Sequence, residues 1–503
     1  MKVLFIYLNH NSVLGVSHGI SALSGVLRKA GHDTKLLHIA DKLSYSCDVG
    51  RIKKDIEEYK PDIVAFSLLT TQFWHIKGVI EEIAQSTKAH VICGGPHVSQ
   101  DPQSVIDLVG VDSVCIGEGE GAIVDLANVL HRGGRTNEIM MIQNLWVKTL
   151  GGIVKNRVRP FVNLEELPKE DFSIFDMKKL CELKNGEITI IAGRGCPYQC
   201  TYCVNLSLHN RYKKDLGRKS GNYIRFKTID QVIGEIKDMI AQIGNVTRLA
   251  FVDDSFTLNK KRLRQLLKDY KKEIDLPFNC NTNPMVFDEE VAKILKDGGC
   301  INVRFGVECG SERIRKEVLH RPMNNERIKQ AFEICRKSGI MSGAYIMVGL
   351  PTETETEWLE TVRFCAEIQP DMIRVSTFYP FADTEIYNFC EDNDLIDKKV
   401  RAELESLDGM SCLKMSDEER LKLDKIHLLF SWYLNRELGN EAFEEWLRGA
   451  QKLNAQEWKE FDFKGVEKGL SENEKGIHYE HRFNDSISVR FPNTFMEEYF
   501  GGK

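Results

Sequence analysis

Gly193-Arg194-Gly195-Cys196-Pro197-Tyr198-Gln199-Cys200-Thr201-Tyr202-Cys203 sets three cysteines in C-x-x-x-C-x-x-C spacing. Ile188, Ile190 and Ile191 form an apolar run into it, as a buried strand would. Gly193 and Gly195 let the backbone turn, and Pro197 stiffens the loop. A compact cysteine loop at a strand end delivers three thiolates to one side of a metal cluster. Three ligands leave one of four irons open, and an open metal position is where chemistry happens. The competing reading of the same spacing is structural zinc with a distant fourth ligand.

At 503 residues the chain has room for roughly three domains. An apolar fraction of 42% suffices for large cores, and 28% charged residues is ordinary for a soluble protein. A net charge of -6 gives no basic footprint for nucleic acid. The apolar start Met1 to Leu8 is too short for a signal peptide, and no apolar run reaches the ~20 residues of a membrane span. A cytoplasmic protein is expected, and fourteen cysteines in that compartment imply thiols and metal ligation rather than disulfides.

Residues 1–145 alternate strand and helix. Strands are expected at Lys2–Leu8, Asp33–Ile39, Ile63–Ser67, His90–Gly95 and Asp112–Gly117, with helices at Ser17–Ala30, Arg51–Tyr59 and Trp74–Gln85. That pattern predicts an α/β doubly wound, Rossmann-like parallel sheet, whose ligands sit beyond the carboxyl ends of the strands. Three strand ends carry short signals: Ser67-Leu68-Leu69, Gly94-Gly95-Pro96-His97 and Gly117-Glu118-Gly119-Glu120. Each alone is ordinary turn chemistry. At successive strand ends they resemble the cobalamin-binding domain, and the resemblance makes Ser67, Leu68, Gly94, Gly95, His97, Gly117 and Glu118 candidate cobalamin contacts. The D-x-H-x-x-G motif that supplies a cobalt ligand in that family is absent, because the loop reads Asn9-His10-Asn11-Ser12-Val13-Leu14-Gly15. His10, His18 and His97 read as loop histidines rather than axial ligands.

Residues 146–187 read as a linker, with a hairpin around Gly151-Gly152 and Cys181 as a structural thiol. From 188 to 400 strand and helix alternate again, with strands at Ile188–Ala192, Arg248–Asp253, Pro277–Thr282, Asn302–Gly306, Ser342–Val348 and Met372–Thr377. Six such repeats predict a partial (β/α)6 version of the TIM barrel, with its site at the carboxyl ends of the strands. The cysteine loop follows the first of them.

On these motifs the chain resembles the radical S-adenosylmethionine (SAM) superfamily, in the branch with an N-terminal cobalamin-binding domain and class B methyltransferases. The resemblance implies that Cys196, Cys200 and Cys203 hold a [4Fe-4S] cluster whose open iron binds SAM. It implies that Tyr202 packs near adenine. Asp253 and Asp254, in Phe251-Val252-Asp253-Asp254-Ser255, would receive the methionine amine; their bland reading is a helix N-cap before Asn259. Glu308, in Val307-Glu308-Cys309-Gly310-Ser311, would meet the ribose or sulfonium side, with Cys309 where the family has serine. Arg321 would lie near the cofactor carboxylate or at the surface. Backbone around Ile346 and Met347, in a partial match to G-x-I-x-G-x-P, would read adenine.

The tail, 401–503, reads as a mainly helical cap: Leu421 to Leu434 is strongly apolar, Glu441–Leu453 is a second helix, and aromatic residues recur to Phe500. The implied function is cobalamin-dependent radical SAM methylation of an unactivated carbon, or of phosphorus, in a small molecule. A reductant such as flavodoxin or ferredoxin would supply electrons. Alternatives are rearrangement, cyclisation or C–C coupling without methyl transfer, and a non-catalytic cofactor sensor.

Overall fold

The computed structural model describes residues 1–9, 14–134, 136–404, 410–463, 465–466, 479–481 and 487–490. His10 and the tail aromatics Phe483, Phe491, Phe495, Tyr499 and Phe500 lie outside the described residues. The chain divides into two compact units. The first is Met1–Tyr198, Tyr202–Val246 and Phe381–Asn388; the second is Gln199–Thr201, Thr247–Pro380 and the chain from Phe389 on. No described helix is long and apolar enough to cross a membrane.

The first unit is built on strands β1 (Lys2–Leu8), β2 (Asp33–Ile39), β3 (Ile63–Ser67), β4 (His90–Gly94), β5 (Ser113–Cys115), β6 (Leu145–Thr149) and β7 (Gly152–Lys155). They form one sheet in the order β2-β1-β3-β4-β5-β6-β7. The first five are parallel, and the near-continuous apolar runs of β1 and β3 suit strands covered on both faces. Leu4, Ile6 and Leu8 bury one face against Ile76, Ile80 and Ile83 of the helix Thr70–Ser86. The hairpin expected at Gly151-Gly152 forms, and it extends this sheet: β6 pairs antiparallel to β5, Val114 opposite Trp146. A three-residue β5 would otherwise leave a bare edge. Chain order reverses between β1 and β3, the switch point at which such sheets bind ligands. The same unit holds β8 (Glu187–Ile190) and an antiparallel ladder of β9 (Gly193–Arg194) with β10 (Arg225–Phe226).

The second unit contains β11 (Arg248–Phe251), β12 (Phe278–Thr282), β13 (Cys300–Glu308), β14 (Met341–Val348) and β15 (Met372–Thr377), parallel and in sequence order. Counted with β8 of the first unit, the chain carries the six strands of a TIM-like partial barrel. Side chains alternate along them. Val303, Phe305, Val307, Ala344, Ile346 and Val375 are buried, and Phe305 packs on Phe332 of the helix Asn325–Ser338. Arg304, Gly306, Glu308, Tyr345, Met347 and Arg374 alternate with them and stay half-exposed. The chemistry-bearing residues are therefore on the face away from the helices. The tail contributes the helices Asp417–Leu428, Phe430–Glu437 and Ala442–Lys452. It also adds two strands that its polar sequence hid: β16 (Tyr479–His481) and β17 (Ile487–Arg490), the latter antiparallel to β15. Leu423 packs on Gly349, just past β14, so the helix Asp417–Leu428 lies at the carboxyl end of that strand.

Candidate cofactor site

The cysteine loop is shaped by two close approaches. A Cβ at Gly193 would stand 2.7 Å from the Phe226 ring and 2.8 Å from the Arg225 carbonyl. Gly195 has φ +94°, and a Cβ there would strike the Tyr223 carbonyl. Only glycine fits either position. All fourteen cysteines are thiols, none in a disulfide. Cys196 and Cys203 are half-buried, and Cys200 is buried. Cys203 is the N-cap of the helix Val204–Leu216 and so stands at the positive end of that helix. Thr201 anchors the loop's middle: its Oγ1 donates to the Val318 carbonyl at 2.6 Å and its N–H to Leu319 at 3.2 Å. Beside it, Arg321 Nη1 donates to Cys200 Sγ at 3.4 Å. Among the described residues no three His, Cys, Asp or Glu side chains are drawn around a single-ion position.

Arg321 is the hub of the second unit's strand ends. Its Nη2 donates to the Gly306 carbonyl at 2.5 Å, and Nη1 lies 3.9 Å from Glu308 Oε1. One buried guanidinium thus joins Cys200 to the end of β13. Glu308 sits at a register shift, with φ +69°. A glutamate in the left-handed region is strained, and such strain clusters at functional sites. Asp253, just past β11, is buried, and Asp254 is exposed. Neither caps the next helix, because Asn259 does, accepting from Arg262 N–H at 3.0 Å. Met347 is on the same face of β14 as Tyr345, while Ile346 points into the core opposite Glu308 in register. Only its backbone is available to a ligand. Tyr202 is half-buried next to Cys203.

Cys309, where serine was expected, is a core residue. Its thiol donates to Glu353 Oε1 at 3.3 Å and lies 3.4 Å from Thr361 Oγ1. Burial pushes that thiol well above its usual pKa, and burial pushes the Glu353 carboxyl up to about 7.

In the first unit the three signals have different fates. Ser67 and Gly94 face each other across β3 and β4, half-exposed beside the switch point. Leu68 is buried, and its N–H donates to the Gly94 carbonyl at 2.9 Å. Gly95 has φ +101°, and a Cβ there would lie 2.8 Å from Leu68 backbone, so it interlocks the two strand ends. His97 is buried and stacked on Phe73 at 4.1 Å, with Nδ1 3.3 Å from Thr70 Oγ1 and Nε2 3.3 Å from Ser104 Oγ. Both ring nitrogens are engaged, as befits a structural residue. His18 is likewise held, by Glu170 at 2.8 Å and Thr189 at 3.1 Å. Glu118, placed among the cobalamin contacts by resemblance, is taken up by protein. Arg225 donates to it at 2.8 and 2.9 Å, Arg194 at 3.1 Å and Val162 N–H at 2.9 Å. Burial alone would raise its pKa; the two arginines reverse that and hold it below the usual carboxylate value. Sequence reasoning missed Arg194 and Arg225, although Arg194 stands inside the cysteine motif.

Residues 190–365 match the Radical SAM superfamily, and residues 12–127 match the B12 binding domain. The chain thus carries a radical SAM domain and, before it in sequence, a B12 binding domain. An uncharacterised methyltransferase of Pyrococcus horikoshii is 26% identical over 83% of this chain and 87% of its own length. The anaerobic magnesium-protoporphyrin IX monomethyl ester cyclase of Rubrivivax gelatinosus is 22% identical over 77% and 69%. Two solved structures share the fold. The radical SAM methyltransferase TsrM of Kitasatospora setae, bound to tryptophan and a SAM analogue, has TM-score 0.62 at 19% identity over 78% and 76% of the two chains. The cobalamin-dependent radical SAM enzyme OxsB, bound to aqua-cobalamin and SAM, has TM-score 0.67 at 15% identity over 90% and 70%. Radical SAM chemistry in this chain therefore uses a [4Fe-4S] cluster and SAM, with a B12-type domain for cobalamin.

Proposed function

We propose that this radical SAM enzyme is a cobalamin-dependent methyltransferase acting on an unactivated carbon, or a phosphorus centre, of a small molecule. The observation that carries the proposal is the joining of Cys200 to the β13 strand end through Arg321, in a chain that also holds a B12-type sheet with an accessible Ser67–Gly94 edge. The P. horikoshii relative and TsrM, both named methyltransferases, support it. When bound, the cofactors supply one-electron bond cleavage and a transferable methyl group.

The chain's own residues bind and orient. Cys196, Cys200 and Cys203 hold the cluster. Arg321 supplies a fixed cation at Cys200, suited to a carboxylate as well as to sulfur. Glu308 and Asp253 offer acceptors for hydroxyl and ammonium donors. Backbone at Ile346 and Met347 borders adenine, with Tyr202 near it. Ser67 and Gly94 take the tail of the corrinoid. The working setting is the cytoplasm, with a flavodoxin or ferredoxin as electron donor and no nucleic acid.

The test is anaerobic turnover with methyl-labelled SAM on reconstituted protein assayed for iron, sulfide and corrinoid. Label in the product together with bound corrinoid is expected; an unlabelled product would remove methyl transfer from the reading. The cyclase among the relatives favours a second reading, ring closure without methyl transfer. An unlabelled, cyclised product formed with 5′-deoxyadenosine would establish it.

A further inference from the structure

We propose that Glu118 is a positioning residue for the iron–sulfur loop rather than a cobalamin contact. The inference rests on the reading that Cys196, Cys200 and Cys203 carry the cluster. The Gly117-Glu118 turn, just beyond β5, holds the cysteine loop at both of its ends. At the entrance, Arg194 stands two residues before Cys196 and pairs with Glu118 at 3.1 Å and Glu120 at 2.7 Å. Arg225, opposite Arg194 in the β9–β10 ladder, grips the same Glu118 carboxylate with both terminal nitrogens. At the exit, Tyr212 belongs to the helix that starts from Cys203. Its hydroxyl accepts the Glu118 N–H at 3.0 Å, and it fills the space where Gly117 lacks a side chain, 2.5 Å from an added Cβ.

Four donors occupy the Glu118 oxygens, which is the full capacity of a carboxylate and leaves no lone pair for a cofactor. The two glutamates and two arginines balance in charge. Removing the Glu118 charge leaves a net positive group two residues from a cluster ligand, and a positive charge there favours the reduced, more negative cluster.

The experiment uses full-length protein carrying Glu118→Gln, reconstituted anaerobically beside the native protein. Bound iron and sulfide, the reduced-cluster signal in electron paramagnetic resonance across a poised potential series, and binding of hydroxocobalamin are measured. Outer partners of metal ligands typically cost about tenfold in affinity, so retention at limiting iron should fall by about that factor. The cluster that remains should reduce at a more positive potential, and Glu118→Asp should restore part of the retention. Hydroxocobalamin binding should not change. Loss of hydroxocobalamin with native iron content and potential would overturn the proposal, as would no change in any of the three. Arg225→Lys keeps the charge and loses the fork. It should lower iron retention without moving the potential, and native retention in that variant would also overturn the proposal, including where Glu118→Gln is insoluble. If the native protein binds no corrinoid, the methyltransferase reading fails while the iron and potential comparison still decides this one.

Discussion

Strand-end glutamates in the two units look alike in sequence and are used differently. Glu118 follows a glycine past β5 and is saturated by two arginines and a backbone amide. Glu308 ends β13 in a left-handed conformation, 3.9 Å from the guanidinium that also meets Cys200. The first arrangement relaxes a buried charge and fixes a scaffold. The second holds strain next to a metal-ligand candidate, and strain is retained where the surroundings require a particular geometry. A charged strand-end residue is thus a site candidate when its geometry costs something, and a strut when every lone pair is already used.

The largest effect that could break this contrast is Cys200→Ala. It removes the candidate ligand that Arg321 addresses, and cluster iron and 5′-deoxyadenosine formation should both be abolished. Retained activity would return the cysteine loop to a structural role. Next in size is Gly95→Ala, which tests whether the first unit's strand ends are scaffold. A methyl would enter at φ +101° within 2.8 Å of Leu68 backbone and should cost about 3 kcal/mol, read as a lower thermal midpoint. Gly31→Ala is its control: φ is +84° but nothing lies within 4 Å, so only strain of about 1 kcal/mol is expected. Equal losses at the two positions would show that backbone conformation, not the close approach to Leu68, makes Gly95 necessary.

Most of the fold was legible because central parallel strands such as Lys2–Leu8 and Ile63–Ser67 are apolar runs and the others are bounded by turn signals. Lys2–Leu8, Asp33–Ile39, Ile63–Ser67 and Met372–Thr377 begin and end where their residues say. The tail strands were not legible, since four residues such as Ile487–Arg490 become a strand only by pairing with β15. The cysteine loop was read from local spacing, and Glu308 from the family resemblance of its motif. What spacing could not reveal was which polar residue each one meets. Arg194 and Glu118 are 76 positions apart, and Cys200 and Arg321 are 121 apart. Glu118 was placed among the cobalamin contacts by resemblance, and sequence hides the arginines that take up its charge.

The remaining predictions concern Glu353, which accepts from the thiol of Cys309, the residue after Glu308. Burial raises its pKa from 4.5 to about 7, so between those values the folded chain holds a proton that the unfolded chain releases. Stability should therefore fall as pH rises through that window, by about 3 kcal/mol in all, and level off above it. Glu353→Gln cannot ionise, and its thermal midpoint should be nearly flat over the same range. A native protein equally flat would show that the carboxyl is ionised throughout. The smallest effect is expected from Cys309→Ser, within about 1 kcal/mol at neutral pH, because a hydroxyl still donates to Glu353 Oε1. Its value lies in the direction. A hydroxyl is the stronger donor, favours the carboxylate, and should narrow the pH window from its upper end. If the window stays where it was, Cys309 contributes packing alone, and the departure from the usual serine is neutral for the Glu308 turn.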